Sequence, residues 1–185
     1  MGLKDFFSSE GRAARSLQKH IARARNKDAQ HVDRQVSLDV LREAAHDGNE
    51  EAMSGLLGRF TIRYDKSIED EEEKEFVAEE LIQLGAKILP ELQKHLRSAE
   101  SISWGLKVLQ EIAHKDKDAT WPILQDLCER NDNTYTRDPS KKMQLLHYLG
   151  EQDHPRCGDA LIPYLEDIDE GVRFVAVEGL VKHKR

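Results

Sequence analysis

Eight histidines, two cysteines and 35 carboxylates are the side chains in this 185-residue sequence that could do chemistry. Their spacing assembles none of the arrangements that chemistry demands. No histidine is followed by glutamate, which removes HExxH, the pattern that sets two imidazoles and a base on one helix face. GxxxxGK[ST], GxGxxG and GxSxG are absent, and with them the phosphate-cradling loops and the strained serine turn. Cys128 and Cys157 lie 29 residues apart with no CxxC partner, which suggests neither a zinc ribbon nor a disulfide framework. Small buried thiols in a reducing compartment are the expectation. His46, His95 and His114 fall near predicted helix ends, where an imidazole meets the negative end of the helix dipole; His147 stands beside Tyr148 and His154 before Pro155. Carboxylate pairs are so frequent that they carry no specificity. No catalytic residue, metal ligand or cofactor is assigned, and a non-enzymatic role is expected.

Charge is unevenly placed. Residues 1–34 hold eight Lys or Arg against four acids, whereas residues 35–185 hold 20 against 31. We therefore divide the chain into a basic amphipathic arm, 1–34, and an acidic body, 35–185. From Arg12 to Lys27, Ala13, Ala14, Leu17, Ile21 and Ala24 take one side of a helical wheel, and Arg12, Arg15, Lys19 and Arg23 take much of the other. Such a helix can cap the first helical unit or lie on an anionic membrane or nucleic acid; capping is favoured because the alanine-rich side would bury little area in lipid. Phe6 and Phe7 could add an apolar anchor. In MGLKDF, Phe6 stands where a myristoylation signal needs Ser or Thr. No apolar run approaches the ~20 residues that cross a bilayer, and a cytoplasmic protein is expected.

The elements that must position these groups are helices. Leu and Ala number 36 against 19 for Val and Ile, favouring the side chains that lose least rotamer freedom in a helix. Helical periodicity recurs in pairs. In 159–183, Pro163 and Leu165 lead through an acidic turn into Val172, Val175, Ala176, Gly179 and Leu180, spaced as one helical face, with Asp169 placed to cap that helix. In 86–113, Pro90 and Leu92 precede Ile102, Leu106, Leu109 and Ile112. Pro122, Leu124 and Leu127 precede Met143, Leu146 and Leu149 across the polar loop NDNTYTRDPS. A weaker unit runs from Glu50 to Gly85, preceded by an amphipathic helix through Val36, Val40, Leu41 and Ala44. Pro90, Pro122 and Pro163 are 32 and 41 residues apart, within the period of paired-helix repeats. Trp104 and Trp121 are expected in the core, against Val108 and Leu124.

The stretch LEDIDEGVRFVAVEGL resembles the HEAT-repeat pattern, through Asp167 or Asp169 in the turn, Val172 and Arg173 opening the second helix, and the first-helix prolines Pro90, Pro122 and Pro163. The resemblance implies an all-α fold: a right-handed α-solenoid of about four antiparallel helix pairs with an N-terminal helical arm. It also implies a scaffold or adaptor that binds protein. Some DNA glycosylases are built from similar repeats, but the acidic body would repel a duplex, and nucleic acid is disfavoured as a partner.

Three surfaces are candidates for binding. Loop 131–140 carries Tyr135 and Arg137, types enriched where interface energy concentrates, or it is a solvated connection. The acids Glu69 to Glu75 match the positive start of a helix. Phe174, Val177 and Val181 form a second apolar row on the last helix, where a terminal repeat would present polar residues. The arm, a second copy, chain beyond Arg185 or a partner could cover it. The leading expectation is a protein partner of basic character, with self-association through the last helix open; the alternative is a peripheral adaptor whose basic arm binds a membrane surface or nucleic acid while the body recruits protein.

Overall fold

A computed structural model describes residues 9–183, and among them every regular element is helical. The chain divides into two compact units at His95 and Leu96.

The first unit holds α1 (Ser9–Ala24), α2 (His31–His46), α3 (Glu50–Leu57) with the 3-10 turn Gly58–Thr61, and α4 (Ser67–Leu84) with the 3-10 turn Gly85–Ile88, and it ends within α5 (Leu89–Ser98). Helix α1 packs on α2 and α3 through Ile21 and Ala24. Ala13 and Ala14 remain exposed. Gly48, at φ +91°, ends α2 in the left-handed region open to glycine: Asn49 N–H donates to the Ala44 carbonyl and Gly48 N–H to that of Ala45. The Asn49 side chain then caps α3. The buried face of α2 runs through Arg34, Leu38, Leu41 and Ala45; Val36 and Val40, expected on that stripe, face outward with Val32. Arg34 stands in line with Leu38 and Leu41, where an aliphatic residue would continue the buried face.

The second unit holds α6 (Ser103–Ala113), α7 (Lys117–Arg130), α8 (Ser140–Glu151), α9 (Cys157–Leu161) with the 3-10 turn Ile162–Glu166, and α10 (Glu170–His183). Helix α7 lies closest to α6, while α10 packs across α8, α9 and the 3-10 turn. The cores are aliphatic, with Val77, Leu81, Ile88 and Leu92 buried in the first unit and Leu109, Leu127, Leu145, Leu149 and Val172 in the second. Trp104 and Trp121 are half-buried and not core residues. The Trp104 ring faces the Lys107 ammonium, and Trp121 stacks on His154 at 4.5 Å.

The three prolines share one local setting. Each is exposed, while the residue two before it (Ile88, Thr120, Leu161) and the residue one after it (Glu91, Ile123, Tyr164) are buried. Proline lacks an N–H and crowds the preceding turn. At Pro163 the chain runs as a 3-10 turn, Pro90 stands one residue beyond another, and Pro122 lies inside α7.

Candidate functional site

The turn before α10 sets which way that helix faces. Asp169 Oδ1 accepts the Val172 N–H at 3.0 Å, the expected cap. Asp167 is buried: its Oδ1 accepts the Asp169 N–H at 2.9 Å, and its Oδ2 receives Lys142 Nζ, itself buried, at 2.6 Å. Lys142 also donates to the Thr134 carbonyl, tying loop 131–140 to the same turn. Arg173 Nη1 donates to the Asp167 and Ile168 carbonyls at 2.8 and 2.9 Å. These residues supply charge-assisted hydrogen bonds to a turn whose carbonyls would otherwise lack donors.

With the turn fixed, one side of α10 must face α8. Gly150 and Gly179 meet at the crossing: a Cβ on Gly150 would lie 2.9 Å from the Gly179 Cα, so the two backbones approach as only glycines allow. Val172, Val175, Ala176 and Gly179 are buried there. The opposite side carries Phe174, Val177 and Val181, which are 62, 49 and 53% exposed. This is a continuous apolar row on a helix that is otherwise well packed. Isolated exposed apolar residues are ordinary; three in register on one face, as also at Val32, Val36 and Val40 of α2, are less so.

Loop 131–140 is held by Asn133, which donates to the Pro163 carbonyl, and by Asp138, whose Oδ1 accepts the Ser140 N–H at the start of α8. Tyr135 is exposed and borders a polar cleft of about 570 Å³ with Arg130, Asp132, Lys141 and Lys142. Arg137 is exposed and does not line the cleft. On α1, Arg12, Lys19 and Arg23 are exposed and Arg15 is half-buried. The segment Gly2 to Phe7, with the two phenylalanines expected as an anchor, lies outside the described residues.

A buried charge cluster in the first unit escaped sequence reasoning. Glu73 accepts Arg34 Nε at 2.9 Å, Arg59 Nε at 2.7 Å, His31 Nδ1 at 2.6 Å and Tyr64 Oη at 3.1 Å. Asp70 accepts Arg59 Nη2 at 2.6 Å and Lys74 Nζ at 2.7 Å. The Arg34 guanidinium lies over the Tyr64 ring, 4.1 Å from its centroid. Burial alone pushes both carboxyls up, but the hydrogen bonds from Arg34, Arg59 and His31 on Glu73, and from Lys74 and Arg59 on Asp70, outweigh it and hold both below their ordinary values. The acids at the start of α4 are therefore not only partners of a helix dipole, since Asp70 and Glu73 are internal counter-ions. The signal was present: Asp70, Glu73, Val77, Leu81 and Leu84 share one helical spacing, so the apolar stripe of α4 continues backward as acids.

Neither thiol has the setting of a nucleophile. Cys157 is buried and Cys128 half-buried, and burial pushes both up to about 11, leaving them protonated near neutral pH. No group of three or more metal-ligating side chains occurs among the described residues, and no helix there is long and apolar enough to cross a membrane. Compared with known proteins, the chain matches no family model, no curated protein and no solved structure.

Proposed function

We propose that this chain is a non-enzymatic scaffold built from HEAT-like helix pairs, an α-solenoid whose last helix presents a docking row to a protein partner. The observation that carries the reading is the exposure of Phe174, Val177 and Val181 on a helix whose start is capped and whose other face is closely packed. A rigid helix pays little ordering entropy when it binds, and an aromatic flanked by aliphatics is the composition of an interface centre. Support for the repeat comes from the common setting of Pro90, Pro122 and Pro163, and from the Asp167, Asp169, Val172 and Arg173 turn, the residues on which the HEAT resemblance rests. In such repeats each helix pair hides its apolar stripe against the next, leaving an extended surface for binding.

The acids Glu170 and Glu178 on the same helix suit a partner with basic residues around an apolar centre. Benzoylphenylalanine placed at position 177 and irradiated in native lysate tests the reading. A discrete adduct with another protein is expected. The absence of any adduct, with capture at a buried control position equally blank, would remove the docking row. An adduct with a second copy of the chain would make the surface one of self-association.

A further inference from the structure

We propose that the outward ridge of α1, formed by Arg12, Lys19 and Arg23, is a site of electrostatic adsorption to an anionic lipid surface. The inference is independent of the docking row on α10. At 100° per residue the three side chains fall within about 40° of one another, opposite Leu17, Ile21 and Ala24, the side that packs toward α2 and α3. Eleven residues at about 1.5 Å each make the row about 16 Å long. All three are exposed, and none of their side chains forms an ion pair or hydrogen bond within the described residues, although acids outnumber bases across the chain. The segment from Gly11 to Lys27 contains six Lys or Arg and no acid at all. Cations with no side-chain partner among the described residues, set in a straight file by packing behind them, have a counter-charge elsewhere as their natural complement.

Geometry favours a flat anionic surface over nucleic acid. The ridge is a single file with the small side chain of Ser16 beside it. A duplex would have to be gripped through many phosphate contacts, which three cations beside an acidic body do not supply. Held within a Debye length of a phosphatidylserine surface, each cation contributes about fivefold in binding.

The test is co-sedimentation of the full chain with vesicles of phosphatidylcholine alone and of phosphatidylcholine mixed with phosphatidylserine. Binding is expected only to the mixed vesicles and is expected to weaken steeply as salt is raised. The triple variant Arg12→Gln, Lys19→Gln, Arg23→Gln should lose on the order of 100-fold in affinity, the product of three such contributions. Removing three other exposed lysines, Lys66→Gln, Lys87→Gln and Lys115→Gln, changes the net charge equally and should leave binding within a few-fold. An unaltered circular dichroism melt of the ridge variant shows that the fold is intact. Failure of the wild-type chain to sediment with mixed vesicles at low salt overturns the proposal, as does equal loss in both triple variants. Tighter binding to labelled duplex DNA than to the vesicles would assign the ridge to nucleic acid instead.

Discussion

Taking the carboxylate from Glu73 would leave Arg34 buried without a counter-charge and Arg59 held by Asp70 alone. Removing one partner of a buried ion pair typically costs ~3–5 kcal/mol, because the charge left behind is desolvated and unpaired. Glu73→Ala is therefore expected to lower the unfolding free energy by about that amount in urea titration. Exposed pairs such as Lys66 with Glu69 should contribute about 0–1 kcal/mol. The same cluster predicts an acid limb. Because the folded-state values of Asp70 and Glu73 lie below the ordinary carboxylate range, their stabilisation is complete above the unfolded-state value of about 4 and is lost as pH falls through the lower folded-state value. Melting temperature should fall below about pH 4, and the fall should be shallower in Glu73→Gln. At this scale the sequence was only half legible. Arg34 replaces an aliphatic residue at i−4 from Leu38, and Arg59 follows Leu56 and Leu57, so a polar core was encoded there. An arginine in an apolar register reads equally well as a register error until its carboxylate, 39 residues away, is brought to it.

Helices were legible because their signals are local. Asp169 three residues before Val172 announces a cap, and the cap forms; Asn49 and Asp116 cap α3 and α7 by the same chemistry. Asp169→Ala is expected to cost about 1 kcal/mol in a thermal melt, the usual value of a lost N-cap. Which faces of α8 and α10 meet was not legible, because it depends on the missing side chains of Gly150 and Gly179, separated by 29 residues. Gly150→Ala brings two effects into opposition. Alanine gains about 1 kcal/mol in helix propensity, but its Cβ would meet the Gly179 backbone at 2.9 Å, and backbone cannot turn aside as a side chain does. Overpacking of ~1–3 kcal/mol should prevail, so a lower melting temperature is expected in place of the gain that Gly→Ala gives at an open helix position. Trp121 shows the same limit: its spacing suggested a core residue, whereas its ring stacks on His154, 33 positions away, with the Arg156 guanidinium 5.8 Å from its centroid.

At the scale of the molecule, composition and helical periodicity anticipated an all-helical chain, and every regular element among residues 9–183 is a helix or a 3-10 turn. The outward row of α10 was also visible, since Phe174, Val177 and Val181 lie on the side of the wheel left over once Val172, Val175 and Ala176 turn inward. Our central claim is that this row belongs to binding and not to folding. Thermal melting and partner capture of Phe174→Asp, Val177→Asp, measured together, test it most directly. The account predicts a melting temperature within a few degrees of wild type, because both side chains are already in water, together with loss of the captured protein. Retention of that partner by the variant, or collapse of its melting transition as expected of Val175→Asp in the core, would contradict it.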